Sequence, residues 1–309
     1  MIITFFTAIF TSTYWLGTWL NTATLIACAA LGAAIAIQSG NLNLGGESQI
    51  YLGGFVTALW LHIFSPTANT SLLVTIFIFL TAFLVAIISG AIVTLLAALL
   101  KRWHGVNEMI TTFLTSAALI PILDYAISSP FRDTTQNLIA TPEIANIFKL
   151  SHLLSVSDLN TSFIFVILVS IIFSIALYKT KAGTRLQICG IAPEFALASG
   201  YKVDVASCIG LSSSGAFHSA TGFLAVVGTY YACYKGFYSG IGWNALSVAL
   251  IAHSNPIVIF PVALVLSFIY TSSDAVMLTA GTSFDFESIL QGLILLFVSI
   301  QIFTRKRYE

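Results

Sequence analysis

Charged side chains are scarce in this sequence. Asp, Glu, Lys and Arg make up 8% of the 309 residues, whereas about 25% is usual for a soluble domain. So few charged groups cannot cover the surface of a water-soluble globule, and 58% of the residues are hydrophobic. The composition therefore predicts a polytopic membrane protein of the all-α class, a helical bundle whose surface is covered by lipid.

A surplus of basic residues, paired cysteines and metal-ligand spacings are absent as well. The 12 Lys and Arg balance the 12 Asp and Glu, so nothing favours binding to nucleic-acid phosphates. The four cysteines include no C-x-x-C pair, which argues against a disulfide framework or a zinc site. The histidines lack the i, i+4 spacing of helical metal ligands, so no metal is expected.

Long apolar runs are abundant. Because backbone polar groups in lipid must bond within their own segment, each run is expected to form a helix. Segments 3–18 and 240–252 are short, and they could span the membrane only in part. About ten crossings are predicted, at 3–18, 21–38, 49–65, 72–98, 107–127, 162–178, 205–230, 240–252, 257–273 and 286–303.

The positions of Lys and Arg predict the orientation. Nine of the 12 basic residues fall in clusters at 101–102, 179–202 and 305–307, which are therefore expected in the cytoplasm. The loop 128–160 is poor in basic residues and is expected outside. With ten crossings, both termini are predicted on the cytoplasmic side of a bacterial plasma (inner) membrane.

Two breaks interrupt the helical pattern, and broken or re-entrant helices are predicted near 39–48 and 239–254. The first break contains three glycines and two asparagines, and such backbone is tolerated at membrane depth only against protein or a watery cavity. Glu47 is the only charged residue among the first hundred. It either caps or hinges the following helix, or it contacts a solute directly.

The loop 179–203 is long for a membrane connection and basic at its front. Pro193 suits a first helical turn, Glu194 adds a negative charge near that helix start, and Gly200 ends the apolar stretch between them. A short helix of this kind either docks into a groove on another protein or rests on the bilayer as a connector. The pattern alone leaves both interpretations open.

This loop resembles the cytoplasmic coupling segment of ABC-importer permeases of the branched-chain amino acid, ribose and nucleoside group. The matching residues are Gly183, Arg185, Gly190, Pro193, Ala196 and Gly200. Further similar elements follow in family order at 43–47, 105–111, 214–216, 240–243, 255–256 and 290–293. The segment 105–111 is closest in pattern to the nucleoside and riboflavin-type branch, whereas Ser48, Ser219, Thr221 and the pair 252–253 depart from the family pattern and leave the solute open.

The resemblance implies a single transmembrane permease domain over 1–309 with a coupling segment at 179–203, in which Glu194 belongs to the docking surface. The sequence contains no G-x-x-x-x-G-K-[ST] loop, so ATP must be used by a partner; the chain is not expected to be an enzyme or to hold a cofactor. The implied partners are a cytoplasmic ABC ATPase, a second identical or homologous permease and an extracytoplasmic solute-binding lipoprotein.

The implied solute is a neutral polar heterocycle, either a nucleoside or a riboflavin-like compound. Aromatic faces together with neutral hydrogen-bonding groups suit such a solute. The candidate pathway residues are Asn41, Asn43, Glu47, Gln49, Tyr51, Ser212, Ser213, Trp243 and Asn244.

Two other classes of function remain open at this stage. An ion-coupled secondary transporter would use membrane carboxylates as proton or sodium sites, and the candidates are Glu47, Glu108, Asp124 and Asp204. An intramembrane serine protease would need Ser212 within hydrogen-bonding distance of His253.

Overall fold

The computed structural model describes residues 2–66, 70–238 and 240–280, together with residues 289, 292, 293 and 296. The helices in these ranges are α1 (Ile2–Thr7), α2 (Thr13–Gln38), α3 (Gly46–Ile63), α4 (Leu72–His104), α5 (Glu108–Ser128), α6 (Ser162–Lys179), α7 (Lys181–Ile191), α8 (Pro193–Ala198), α9 (Val203–Ala225), α10 (Ile241–Ile251) and α11 (Pro256–Ala280). Short 3₁₀ turns lie at Ala8–Thr11 and Asn146–Phe148, and a π-helical turn at Val226–Tyr230 continues α9. The predicted all-α membrane bundle is confirmed.

Among the described residues, five helices are long and apolar enough to cross a membrane, namely Thr13–Gln38, Leu72–His104, Glu108–Ser128, Ser162–Lys179 and Pro256–Leu278. The helices α3 and α9 are also long, with 18 and 23 residues, but they are less apolar. Their polar residues lie largely inside the bundle, where protein rather than lipid surrounds them.

The first expected crossing is absent, because residues 13–38 form one continuous helix. The preceding helix and 3₁₀ turn together span about 17 Å, which is too short for a bilayer core of about 30 Å. Aromatic rings of Phe5, Phe6 and Phe10 instead pack against Phe268 of α11. The predicted cytoplasmic position of the N-terminus rested on a count of ten crossings, and the helices in this region supply one crossing fewer. Most of the segment 286–303, and the basic cluster 305–307, lie outside the described residues.

The turn between α4 and α5 gives a structural reason for Gly105 and Asn107, which belong to the family-like element at 105–111. Gly105 ends α4 in a left-handed conformation (φ 65°), and its N–H donates to the carbonyl of Lys101. Asn107 then caps α5, since its side chain accepts a hydrogen bond of 2.8 Å from the N–H of Met109. Both helix ends are satisfied within three residues, which gives a tight and rigid turn.

The two ends of the bundle have different contacts. At one end, hereafter the basic face, Lys101 contacts Asn41, and Gln38 donates to the carbonyl of Ser254. At the other end, hereafter the loop face, residues 139–150 hydrogen-bond to the backbone of residues 227–235. The clusters 101–102 and 179–202 therefore share one end, opposite the long loop 128–160.

Small residues allow α9 to lie very close to its neighbours. A Cβ atom added to Gly90 of α4 would lie 2.3 Å from the carbonyl oxygen of Gly215. One added to Gly53 of α3 would lie 2.2 Å from the carbonyl oxygen of Ser219. Side chains at these positions would force the backbones apart, so the glycines determine how tightly α3 and α4 pack on α9.

Candidate transport pathway and coupling surface

The chain leaves α2 at the basic face and begins α3 near the middle of the bundle. Residues 39–45 are not helical, and within this stretch Asn43 contacts Ser214, about midway along α9. The predicted broken helix is therefore present. Its unwound part is exposed at Gly40, at the basic face, and is buried or half-buried in protein from Asn41 to Gly45, as the lack of water in a membrane requires.

Asn43 belongs to a buried polar cluster with Gln49, Ser214 and His218. Its amide nitrogen donates to the Gln49 side chain (2.9 Å) and to the Ser214 hydroxyl (2.9 Å). The Gln49 carbonyl oxygen lies 2.7 Å from Nδ1 of His218, a contact in which the ring nitrogen donates. The cluster joins the break to α9 at mid-bundle by neutral hydrogen bonds, whose partners are costly to remove when buried.

Asn41 lies closer to the basic face than Asn43 does, and it belongs to a second group of polar side chains. Its side-chain oxygen accepts hydrogen bonds from the Lys101 ammonium (2.7 Å) and the Ser207 hydroxyl (2.7 Å). Lys101 also pairs with Glu108 at 3.1 Å. Four elements are thereby tied together: the break, the end of α4, the start of α5 and the first turns of α9. A cavity of about 490 Å³ opens beside this group and reaches Gly190 of α7.

Glu47 connects the two broken helices. It stands in the first turn of α3, and its Oε1 accepts a 3.0 Å hydrogen bond from the N–H of Gly240, directly before α10. Gly242 lies so close that an added Cβ would be 2.6 Å from the Glu47 nitrogen. Since α10 has 11 residues, about 17 Å, it is a half-membrane helix that starts at this depth; residue 239 lies outside the described ranges.

Tyr51 lies one turn further along α3 and is buried. Its hydroxyl donates to Asp124 of α5 at 2.8 Å and accepts from the N–H of Gly236 at 3.3 Å. Its ring contacts Phe237 and Tyr238, with centroid distances of 5.8 and 4.6 Å. An aromatic layer therefore lies on the loop-face side of Glu47.

The predicted pathway residues do not all meet. Asn43 and Gln49 share one cluster, and Asn41 belongs to another. Ser212 and Ser213 lie half-buried on α9, and the described hydrogen bonds connect neither of them to these groups. Trp243 and Asn244 lie in the first turns of α10, close behind the Glu47 contact; Asn244 is buried and Trp243 half-buried.

Sequence reasoning missed His218, Ser207 and Lys101. A signal for the first two was available, because Ser207, Ser214 and His218 are spaced by seven and four residues and so lie along one face of α9. Nothing in the sequence could pair Lys101 with Asn41, since the 60 residues between them return to the same place only in the folded bundle.

The predicted coupling segment forms two short helices, α7 and α8, at the basic face. Gly183 permits the tight turn between α6 and α7, because a Cβ there would lie 2.2 Å from the carbonyl oxygen of Leu177. Gly190 touches the break itself: its added Cβ would be 2.3 Å from the carbonyl oxygen of Gln38 and 2.6 Å from the nitrogen of Gly40. The segment 179–203 is therefore in direct backbone contact with the start of the broken helix.

The end of α7 and the outer surface of α8 carry uncovered apolar side chains. Phe195 and Leu197 are each 62% exposed and Ile191 is 79% exposed, whereas Ala196 on the inner side is fully buried. Gly200 ends the helix in a left-handed conformation (φ 78°), and the N–H of Tyr201 bonds back to the Ala196 carbonyl. Pro193 and Glu194 occupy the exposed first turn as expected.

Arg185 projects from α7 over the ring of Tyr201. The guanidinium carbon lies 5.7 Å from the ring centroid, within the range of a cation–π contact. This contact joins the exposed face of α7 to the residues that follow α8, so that the two short helices form one surface.

The carboxylates considered as ion sites have other partners. Glu108 pairs with Lys101, Asp124 accepts from Tyr51, and Glu47 accepts from Gly240. Asp204 lies exposed in the first turn of α9, where a carboxylate complements the helix dipole. These contacts do not favour ion coupling.

Within the described ranges, no side chains are arranged as a serine protease or a metal site requires. No hydrogen bond joins Ser212 to His253 there, and His253 is exposed in the turn between α10 and α11. Within those same ranges, His, Cys, Asp and Glu side chains form no group of three or more that could hold a metal ion.

A membrane bundle with two broken helices meeting at its centre, and with a pair of short surface helices in contact with one of them, fits a multi-pass transport permease. Residues 15–299 match the family model described as the permease component of branched-chain amino acid transport systems. The chain therefore belongs to this family, whose members are transport components of ABC importers, and it is a permease subunit and not an enzyme.

Named relatives support this assignment over most of the chain. The chain is 36% identical to the probable riboflavin import permease protein RfuC of Treponema pallidum over 90% of its own length and 72% of the relative. It is 24% identical to the guanosine ABC transporter permease protein NupP of Bacillus subtilis, with 94% and 82% covered. It is 23% identical to the nucleoside ABC transporter permease protein NupB of Lactococcus lactis, with 93% and 79% covered. No solved structure matches the chain.

Proposed function

We propose that this permease imports an uncharged polar heterocycle, a nucleoside or a riboflavin-like compound, with energy from a separate ATPase. The identity of 36% with a riboflavin import permease, together with the guanosine and nucleoside relatives, supports this class of solute. The neutral amides and aromatic rings around the two breaks support it as well, because they offer stacking faces and hydrogen bonds without a fixed charge.

The candidate pathway runs from the aromatic layer at Tyr51, past Glu47 and the Asn43 cluster, to the Asn41 group at the basic face. The two helices that flank this line, α9 and α10, contribute the remaining candidates, which are Ser212, Ser213, Trp243 and Asn244. Most groups along the line are neutral. The charged ones are engaged within the protein, since Glu47 accepts from Gly240, Asp124 accepts from Tyr51 and Lys101 pairs with Glu108.

The contact between Gly190 and Gly40 carries the proposal of ATP coupling. An ATPase that grips Arg185, Glu194 and the exposed Phe195 and Leu197 moves α7 and α8. Because two backbones in van der Waals contact cannot slide independently, that motion shifts the start of the break. The break holds Asn43 and leads into α3, and Glu47 links α3 to α10, so both broken helices respond together.

The remaining assembly follows from the same proposal. The basic face lies in the cytoplasm, because Lys and Arg favour that side of a plasma membrane, and the ATPase docks there. A second permease, identical or homologous, completes the pore. A solute-binding lipoprotein delivers the solute to the loop face.

Reconstitution of the full chain in proteoliposomes, with an ABC ATPase, a second permease and a solute-binding lipoprotein from the same genome, tests the function. We expect uptake of riboflavin or guanosine that requires ATP. Replacing both Phe195 and Leu197 by Ser is expected to abolish ATPase association and uptake. The control Val156→Ser, which changes an even more exposed apolar residue in the loop 128–160, is expected to leave both unchanged. Uptake driven by a proton or sodium gradient without the ATPase would overturn the proposal.

A further inference from the structure

A cavity of about 220 Å³ lies toward the loop face, between α2, α10 and the segments that close that end. Its polar and aromatic wall is formed by Asn21, Asp158, Thr229, Tyr230, Phe237 and Asn244. Sites for drug-sized ligands occupy roughly 300–1,000 Å³, so this cavity has room for one ring system rather than for a whole nucleoside or flavin.

The wall of the cavity is arranged before any solute arrives. Asn21 donates to the Thr229 hydroxyl at 2.9 Å and accepts from the Asn160 side chain at 3.2 Å. Asn160 is itself fixed by the carbonyl of Gly228 at 2.9 Å. A held amide presents its hydrogen-bonding groups at a fixed angle, which lowers the entropy cost of binding a planar amide-like ring edge.

Aromatic side chains form one wall of the cavity. The rings of Tyr230 and Phe237 contact each other with a centroid distance of 5.4 Å. Phe237 also contacts Tyr51, at 5.8 Å. The cavity is therefore separated from the candidate pathway by a single layer of rings, and a heterocycle stacked on Phe237 lies next to the two breaks.

The charge of the wall selects among heterocycles. Asp158 is the one charged residue among those that line the cavity in the described part of the chain, and none of these is Lys, Arg or His. With the ring in the cavity, a phosphate on its substituent lies outside the cavity but within a Debye length (~10 Å) of the Asp158 carboxylate, and no cation of the lining offsets the repulsion. An uncharged ring meets no such penalty.

We propose that this cavity is an entry subsite that receives the ring of an uncharged heterocycle, such as a nucleobase or an isoalloxazine, and excludes the phosphorylated forms of the same compounds. The proposal rests on the proposed function, because it assigns a place and a selectivity to the solute class of that importer. It also adds Asn21, Asp158, Tyr230 and Phe237 to the residues that contact solute.

Protection of a cysteine in the wall tests the subsite without ATP. Thr22 lines the cavity, and Thr13 begins the same helix but lies outside it. The full chain carrying Thr22→Cys, in proteoliposomes, is labelled with a small uncharged thiol reagent, and the unsubstituted protein gives the background of its native cysteines. We expect riboflavin or guanosine to slow labelling by about tenfold when present at ten times its dissociation constant.

The control compounds and variants define the outcomes. FMN and GMP are expected to leave the labelling of Thr22→Cys unchanged, and no compound is expected to protect Thr13→Cys. Equal labelling with and without riboflavin and guanosine overturns the subsite. Equal protection by the phosphorylated compounds overturns its selectivity.

Transport by the reconstituted complex separates this proposal from the function on which it rests. Thr22→Leu, which narrows the cavity and replaces a polar group of its wall by an apolar one, is expected to reduce ATP-dependent uptake, whereas Thr13→Leu is not. If the complex imports riboflavin or guanosine with ATP but neither compound protects Thr22→Cys, the subsite alone fails. If protection occurs without ATP-dependent uptake, the proposed function alone fails.

Discussion

Gly190 of α7 lies against Gly40, the residue at which the chain turns out of α2 with a φ of 74°. A Cβ on Gly40 would lie 2.9 Å from the Gly190 Cα, and one on Gly190 would lie closer still to the Gly40 nitrogen. Neither glycine tolerates a side chain without a backbone shift. The contact joins an exposed surface at the basic face to the break that reaches the centre of the bundle.

Gly190→Ala is expected to weaken coupling. The added methyl group must push α7 away from the break, at a cost of about 1–3 kcal/mol for overpacking. The measurement is the ratio of solute transported to ATP hydrolysed in proteoliposomes, which should fall. Ala182→Ser is the matched control, since it adds one atom on the exposed side of the same helix. An unchanged ratio in Gly190→Ala would show that the contact transmits nothing.

Lys101→Met is expected to loosen the basic face. It removes the hydrogen bond to Asn41 and the ion pair with Glu108, and since the lysine is partly exposed the loss is about 1 kcal/mol. The unfolding midpoint in detergent should be lower than that of the unsubstituted protein. Added salt should make the difference between the two midpoints smaller. Arg102→Met, at the exposed neighbouring position, should leave the midpoint unchanged. A similar loss in both variants would contradict a specific role of Lys101.

Gln49→Leu and His218→Leu are each expected to destabilise the protein by about 1–3 kcal/mol, because each leaves a buried partner without its hydrogen bond. The double variant should be destabilised by less than the sum of the two single variants, since the second substitution removes a group that the first has already left without its partner. Thermal unfolding of all four proteins in one detergent measures the coupling. Strict additivity would mean that the 2.7 Å contact contributes little.

Glu47→Gln is expected to retain most transport, whereas Glu47→Ala is expected to lose it. The glutamine keeps an acceptor for the N–H of Gly240 but carries no charge, so the link between the two breaks survives. ATP-dependent uptake measures both variants. Loss of uptake in Glu47→Gln as well would indicate that the negative charge itself is required, as in an ion-coupled carrier.

Arg185→Ala and Glu194→Ala are expected to reduce ATPase association while leaving membrane insertion intact. Arg185 contributes its charge and its contact with Tyr201, and Glu194 lies exposed at the start of α8. Copurification of the ATPase with the permease measures association. Arg102→Ala, which changes an exposed basic residue on the same face but outside residues 179–203, is the control. Normal association in both test variants would argue against this docking surface.

Much of the architecture could be read from the sequence because lipid imposes a simple rule. A segment without hydrogen-bonding water must be a helix, and runs such as 72–98 and 162–178 therefore predict α4 and α6 closely. The rule fails for 3–18, where apolar residues are frequent but the chain turns at Ala8–Thr11 and packs its aromatic rings on α11. Composition cannot separate a helix that spans lipid from an apolar segment that lies against protein.

The breaks were equally visible, since glycine and asparagine at 39–48 contradict a continuous helix. The residues that contact these breaks could not be predicted from the sequence. Glu47 was expected to cap its own helix, but no side chain caps the start of α3, and the Glu47 carboxylate accepts instead from the N–H of Gly240, directly before α10. Likewise, Asn41 and Asn43 are close in sequence but belong to different groups, because the unwound chain between them rises from the basic face to mid-bundle.

The sequence by itself determined the class of the protein. A chain with 8% charged residues, long apolar runs and clustered lysines and arginines can only be covered by lipid, and its ordered family-like elements indicated a permease. The tertiary structure decided which residues act together. Contacts such as Gly190 with Gly40, Glu47 with Gly240 and Asn21 with Thr229 join positions 150 or more residues apart, and they form because close-packed helices without water must satisfy one another's backbones and polar groups.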